Sequence, residues 1–131
     1  MKLYIAYKYS NNKDKEKLKN DLDTLSEKVK LLGFDTFILG RDIKKWQHVK
    51  FGYIKQIPVI YRNMAKCETV LIFANSRELS IGMLFELAVS KLLFKKTILL
   101  YQDYDASILK KIVNRNFNIG SFEDITSEML E

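Results

Sequence analysis

The chain has 131 residues, of which 47% are hydrophobic and 29% are charged. That length suits one domain with one hydrophobic core, and the composition excludes an intrinsically disordered chain. No apolar run approaches the roughly 20 residues that cross a bilayer, and no small-residue cleavage site of a signal peptide follows the first strand-like segment. The single cysteine, Cys67, fits a reducing cytosol. We therefore expect one domain over residues 1–131, located in the cytoplasm.

The net charge of +6 is unevenly distributed. Residues 1–66 carry 15 Lys or Arg against 7 Asp or Glu, whereas residues 67–131 carry 7 against 9. A basic half can attract phosphate groups, but the lysines of residues 13–19 alternate with acidic and polar residues, as on a solvated helix face. The charge is compatible with a phosphorylated small molecule without requiring one. We expect neither a nucleic-acid partner nor a membrane partner.

Hydrophobic periodicity predicts alternating strands and helices. Lys2–Tyr7 alternates as a strand, and apolar residues from Leu18 to Leu32 recur at steps of 4, 3, 4 and 3 along one helix face, with Gly33 as a stop. The later predicted elements are a strand over Phe34–Leu39, a helix over about Phe51–Lys66 that is interrupted and restarts near Pro58, a strand over Thr69–Ala74, a helix over Ile81–Phe94, a strand over Thr97–Tyr101, a helix to about Val113, a short edge strand over Phe117–Ile119 and a closing helix over Phe122–Leu130. This order predicts a single-domain α/β fold: a doubly wound parallel sheet of four or five strands, three-layered and flavodoxin-like, with strand order 2-1-3-4-5.

Open parallel sheets bind ligands at the carboxyl ends of their strands, near the point where the strand order reverses. The loops at that edge cover residues 7–10, 40–46, 75–82 and 101–105. The helix that starts near Ser80 directs free N–H groups into the same crevice, where an anion can bind. Glu68 precedes its strand, so we expect it at the opposite edge and discount it as a catalytic group.

The segment from Ser80 to Glu86 has both a structural and a functional interpretation. Ser80 can be an N-cap, and Gly82 can serve a simple turn or let a ligand approach the backbone. Glu86 lies in a strongly apolar run, so its carboxylate is either exposed on an outer helix face or held in a cleft. Its neighbours Phe85 and Leu87 cannot both be exposed without cost, which favours partial burial of Glu86.

Other residues are weaker candidates. Tyr7 and Trp46 follow strands and could stack on a nucleobase, although most aromatic residues here are core residues. Ser10, Asn75 and Met83 are further substrate-binding candidates by position. The sequence has no P-loop, no GxGxxG, no zinc spacing and a single histidine, so we expect neither a cofactor nor a metal.

Several segments resemble nucleoside 2-deoxyribosyltransferase-like proteins. They are Met1–Ala6, Cys67–Ile72, the motif Ser80-x-Gly82-Met83-x-x-Glu86-Leu87-Ala88, and Lys95–Leu100. The Ser-x-Gly-x-x-x-Glu spacing is especially similar to the related 2′-deoxynucleoside 5′-phosphate N-hydrolases. The resemblance covers roughly residues 1–101, and it implies the same α/β fold and an N-glycosidic transferase or hydrolase.

The resemblance also implies roles for individual residues. Glu86 would attack the anomeric carbon of a 2-deoxyribosyl group, and another base or water would resolve the glycosyl ester. Ser80 would hold a 5′-phosphate. An acid must protonate the leaving base; Asp103 and Asp42 are candidates by position, because Glu68 lies at the wrong edge. A homo-oligomer, with a dimer favoured, is implied because relatives often complete the site with a neighbouring subunit.

Two other readings stay open. One is a non-catalytic nucleotide-sensing or protein-interaction module on the same fold. The other is a TIR-like NAD hydrolase, which also uses a glutamate early in a helix, although the aromatic-cysteine cluster typical of that class is missing around Glu86.

Overall fold

Five parallel strands form the centre of the structure, a computed structural model that describes residues 2–7, 15–38, 42, 53–74, 81–101 and 107–131. The elements are β1 (Lys2–Tyr7), α1 (Lys15–Leu31), β2 (Asp35–Ile38), α2 (Tyr53–Ala65), β3 (Thr69–Ala74), α3 (Ile81–Leu92), β4 (Lys96–Tyr101), α4 (Ser107–Ile112) and β5 (Arg115–Asn118), then a 3₁₀ turn (Phe122–Asp124) and α5 (Ser127–Leu130). The strands pair in the order β2-β1-β3-β4-β5, all parallel. The predicted doubly wound α/β fold and its strand order are therefore confirmed.

Alternation along the strands divides the core between the two faces of the sheet. Along β1, Leu3, Ile5 and Tyr7 pack with α1, whereas Tyr4 and Ala6 pack on the face that α2 and α3 cover. The central strand β3 is buried along its whole length, as its continuous apolar sequence predicts. The predicted stripe on α1 is confirmed for four members that are at most 1% exposed: Leu18, Leu22, Leu25 and Val29. Its last predicted member, Leu32, lies just beyond the helix and is partly buried against the same cluster.

Two predicted helices differ from the structure. Helix α2 runs through Pro58 without interruption. Pro58 is its sixth residue, so its missing N–H removes only the bond to the carbonyl of residue 54, and the ring itself is exposed. The predicted closing helix is also wrong, because Ile125 is buried in an extended conformation between the 3₁₀ turn and α5. The Asp124 carboxylate accepts hydrogen bonds from the N–H groups of Gly120 and Ser121, which fixes that break.

Glu68 lies where its position in the sequence predicts. It directly precedes β3, its N–H donates to the Lys2 carbonyl, and its side chain is exposed at the amino-terminal edge of the sheet. Within the described part of the chain, no helix is long and apolar enough to cross a membrane.

Helices α1 and α3 end in the same type of C-terminal cap, but different residues occupy the position of the cap that has a positive φ. At the end of α1, Phe34 N–H donates to Val29 O and Gly33 N–H to Lys30 O, with Gly33 at a φ of 96°. At the end of α3, the equivalent bonds run to Ser90 O and Lys91 O, and Phe94 takes the glycine position with a φ of 55°. This Schellman motif favours glycine, because a Cβ in the left-handed region crowds the backbone. Phe94 is also 94% exposed, so its side chain gains no packing within the fold.

Replacing Phe94 with glycine should therefore stabilise the protein. Phe94→Gly is expected to raise the free energy of unfolding by roughly 0.5–1 kcal/mol, which is the relieved strain less the entropy that glycine adds to the unfolded chain. Urea denaturation followed by circular dichroism measures this change. Gly33→Ala is the matched control, since a Cβ there has open space around it, and it should lower stability by about 1 kcal/mol. A loss of stability in Phe94→Gly would contradict the strain assigned to this cap.

Candidate active site

Glu86 lies on the side of α3 that faces the sheet. It shares this side with Met83, Leu87 and Ser90, the residues one turn before and after it, and all of them are buried. Glu86 is 6% exposed, whereas Leu84 on the outer side of the same helix is 44% exposed. The structure therefore decides between the two alternatives left open by the sequence: the carboxylate is held inside rather than on the outer face.

The helix places this carboxylate over the reversal point of the sheet. Helix α3 follows β3 and packs across β1, and these two strands are the ones between which the chain changes direction. Ala6 and Ala74, near the carboxyl ends of β1 and β3, present small side chains on this face of the sheet. The first turn of α3 begins at Ile81, so the N–H groups of this helix start lie at that same edge.

Tyr4 is the polar neighbour of Glu86 within the sheet. Its ring is fully buried and contacts Phe37, with 5.3 Å between the ring centroids. Burial raises the pKa of the Tyr4 hydroxyl far above its ordinary value, and the negative charge of Glu86 and hydrogen bonding to it raise that pKa further. The hydroxyl therefore stays protonated throughout the working pH range and can only donate to Glu86.

The contact between Tyr4 and Glu86 is close but not a regular hydrogen bond. Among the described residues, the Tyr4 hydroxyl and the Oε2 atom of Glu86 are the buried side-chain oxygens that have no hydrogen-bond partner of good geometry. The Glu86 side chain as a whole is not isolated, since it makes further interactions. Burying a carboxylate among apolar side chains costs several kcal/mol unless donors surround it.

Ser90 shows how a purely structural polar group behaves on the same helix face. It is fully buried, and its hydroxyl donates to the Leu87 carbonyl at 2.6 Å. That bond satisfies the hydroxyl within the helix itself. Ser90 thus provides a matched comparison for Glu86, one turn further along α3.

The structure places the remaining predicted site residues in different surroundings. Met83 is buried beside Glu86, and Gly82 lies in the first turn of α3. Tyr7 ends β1 and is mostly buried, but its ring packs in the cluster on the α1 side. Asp42 follows β2, where its Oδ2 accepts a hydrogen bond from the Ile38 N–H at 2.9 Å and its side chain is exposed. Other predicted residues lie outside the described residues: Ser10, Trp46, Asn75, Ser80 and Asp103.

Sequence reasoning missed Tyr4. It selected Tyr7 because Tyr7 ends the strand, but strand alternation places Tyr4 and Ala6 on the face that α3 covers. In this topology the first helix and the third helix cover opposite faces, so the alternation could have identified Tyr4. Within the part of the chain that the structure describes, no group of three or more His, Cys, Asp or Glu residues could hold a metal ion.

Comparison with known proteins identifies structural neighbours only. No family model matches the chain, and no curated protein sequence matches it. A 2-deoxyribosyltransferase from Bacillus psychrosaccharolyticus superposes with a TM-score of 0.64 and 18% identity, over 95% of this chain and 89% of that one. The CMP N-glycosidase BcmB from Clostridium botulinum superposes with a TM-score of 0.64 and 15% identity, over 95% of this chain and 93% of that one.

Both neighbours are of the nucleoside 2-deoxyribosyltransferase-like superfamily. Matches at this identity establish the fold. The chain therefore has the fold of the superfamily that its sequence resembles, with Glu86 buried on the helix that follows the central strand.

Proposed function

We propose that the protein transfers or hydrolyses the N-glycosidic bond of 2′-deoxynucleosides or their 5′-monophosphates, with Glu86 as the nucleophile. The observation that carries this proposal is the burial of the Glu86 carboxylate over the reversal point of the sheet, on a helix side whose other residues are apolar or, at Ser90, hydrogen-bonded within the helix. The likeness of the whole fold to a deoxyribosyltransferase and a CMP N-glycosidase supports the same chemistry.

The proposed reaction has two displacements. In the first, a carboxylate oxygen of Glu86 bonds to C1′ of the sugar while the C1′–N bond breaks, and the base nitrogen takes the electron pair and a proton. In the second, water or another base attacks C1′ and releases the carboxylate. A carboxylate surrounded by apolar groups stabilises the developing oxocarbenium charge more strongly than one in water, because the local dielectric constant is low.

Other residues support this step in the proposal. The protonated Tyr4 hydroxyl lies beside Glu86, and we propose that it donates to the carboxylate when substrate is bound. Asp42 and Asp103 are the candidates for the acid that protonates the base, and Asp42 is the one that the structure describes, at the carboxyl end of β2. Ser80 and the start of α3 would hold a 5′-phosphate, if the substrate has one. A cytoplasmic location and a homo-oligomer stay predictions.

Base release tests the proposed activity directly. The protein is incubated with deoxynucleosides, ribonucleosides, their 5′-monophosphates and NAD, and free base is measured by chromatography, with and without a second base as acceptor. We expect release of the base from a nucleoside or its monophosphate, and a loss of this activity of at least about 10³-fold in Glu86→Gln because the nucleophile is removed.

Ser90→Ala is the control on the same helix face and should keep its activity. Base release that survives in Glu86→Gln would exclude Glu86 as the nucleophile. Base release from NAD alone would favour the TIR-like NAD hydrolase. If no substrate releases a base, the non-catalytic binding module is favoured.

Stability provides a second, independent test of a catalytic Glu86. A buried carboxylate that is present for catalysis does not add to the stability of the fold. Glu86→Gln should therefore leave the free energy of unfolding unchanged or raise it by about 1 kcal/mol. A carboxylate kept for structure would show the opposite result, a loss of about 3–5 kcal/mol when it is neutralised. Urea denaturation of the wild type and Glu86→Gln distinguishes the two, with catalytic loss and unchanged stability as the expected combination.

A further inference from the structure

The most exposed large hydrophobic side chains of the described residues lie at one edge of the sheet. Phe94 is 94% exposed, Leu31 is 85% exposed and Leu92 is 73% exposed. Leu31 ends α1, and Leu92 ends α3 two residues before Phe94. Because each of these helices leads directly into a parallel strand, both helix ends lie at the amino-terminal edge of the sheet, opposite the edge that carries the candidate active site.

Several lysine residues lie at the same edge of the sheet as these three side chains. The same edge carries Lys2, Lys30, Lys66, Lys91, Lys95 and Lys96, because they begin strands or end helices there. The described acidic residues near this edge are Asp35 and Glu68, with Glu27 one turn before Leu31, Glu123 beside Lys28, and Glu128 beside Arg115 at the start of β5. We call this surface, formed by the six lysines with Leu31, Leu92 and Phe94, the basic apolar edge.

The basic apolar edge has two parts, because α1 and α3 pack on opposite faces of the sheet and both end at this edge. Lys91, Phe94, Lys95 and Lys96 line a cleft of about 560 Å³, and Lys2, Lys30 and Asp35 line a separate cleft of about 320 Å³. Burial raises the pKa of the Cys67 thiol, whereas the charges of both Lys2 and Lys95 act to lower it, which places these two lysines on either side of the start of β3. Lys95 also donates to the Ala65 carbonyl at the end of α2.

Phe94 has no role in the fold that explains its presence. It occupies a cap position for which α1 uses glycine, its φ of 55° is strained for a residue with a Cβ, and its ring is in solvent. A strained and exposed aromatic residue is a disadvantage for stability and for solubility, so its presence points to a contact outside the chain.

We propose that the basic apolar edge binds the surface of a lipid bilayer that contains anionic phospholipids. The lysines match the negative charge of the headgroups, and the rings and aliphatic tips of Phe94, Leu92 and Leu31 enter the boundary between headgroups and acyl chains. Nucleic acid would satisfy the lysines but would leave the two leucines without an apolar partner. A second copy of this edge would bring like charges together.

This contact does not require a membrane-spanning segment. The lack of such a segment led to the expectation of no membrane partner, whereas adsorption on one leaflet needs only exposed apolar tips with positive charge around them. Glu86 lies midway along α3, and the carboxyl ends of the strands, where the candidate active site is located, point away from the bound surface. Access to the candidate active site is therefore independent of binding.

Vesicle sedimentation tests the proposal. The full-length protein is mixed with vesicles of phosphatidylcholine alone or with 30% phosphatidylserine, at about 0.1 M and 0.5 M salt, and the fraction that sediments is measured. Binding is expected only to the anionic vesicles and only at low salt, where screening is weak. Phe94→Gly should bind several-fold more weakly although its urea midpoint is raised, a combination that unfolding cannot produce. Leu84→Ser, at the other end of α3, is the matched control and should bind like the wild type.

A second pair of variants tests the charge. Lys30→Gln with Lys91→Gln should weaken binding by about 25-fold, which is about fivefold for each lysine near an anionic surface. Lys17→Gln with Lys19→Gln removes the same charge from the first turns of α1, at the other edge, and should change binding by less than twofold. The proposal is overturned if the wild type does not sediment, if it sediments equally with neutral vesicles, or if both lysine pairs weaken binding equally. Binding to a short single-stranded DNA but not to vesicles would also overturn it.

Discussion

The carboxyl group of Glu86 is held between an α-helix and a parallel sheet, at a position where every other residue on that side of the helix is apolar or satisfies itself within the helix. Met83 and Leu87 pack against the sheet on either side of it, and the Ser90 hydroxyl bonds to the carbonyl one turn back. Burying a carboxylate in such surroundings costs free energy unless the contacts that it makes offset this cost. The rest of the candidate site depends on this one residue.

The fold positions that carboxyl group through connections that follow general rules. Right-handed crossovers between parallel strands place α1 on one face and α2 and α3 on the other, and the change of direction occurs between β1 and β3. Helix α3, which connects β3 to β4, also contacts β1, and this brings Glu86 beside the buried ring of Tyr4. The position of Glu86 is therefore suited to its proposed role. At the reversal point of the sheet, a carboxylate on a helix can face a ligand that lies between the ends of two strands.

Sequence patterns predicted the fold better than the site. Periodicity in α1 and the continuous apolar run of β3 identified the elements and their layers, since these signals report burial directly. The same patterns could not show whether Glu86 faces in or out, because α3 is apolar on more than one side. Tyr4 was missed because strand position was considered without strand alternation, and the passage of α2 through Pro58 was missed because the cost of proline depends on how near the helix start it lies. Phe94 has no sequence signal at all, since only its backbone conformation makes it unusual.

The two edges of the sheet have different character. The carboxyl-terminal edge holds the reversal point and the start of α3, whereas the amino-terminal edge holds lysines and the most exposed apolar side chains. Residues at helix ends and strand starts are free of the packing demands of the core, so this edge can vary without disturbing the position of Glu86. One small domain can in this way carry the candidate active site at one edge of its sheet and the proposed membrane-binding surface at the opposite edge.

The most direct measurement of the central claim is the detection of the covalent intermediate. A 2′-deoxy-2′-fluoro analogue of the substrate slows the second displacement, because fluorine disfavours the positive charge that develops at C1′. Mass spectrometry of the intact protein, followed by peptide mapping, should then show one fluorosugar attached to Glu86 and none in Glu86→Gln. Release of base from this analogue without any attached sugar, or with the sugar on a residue other than Glu86, would contradict the account.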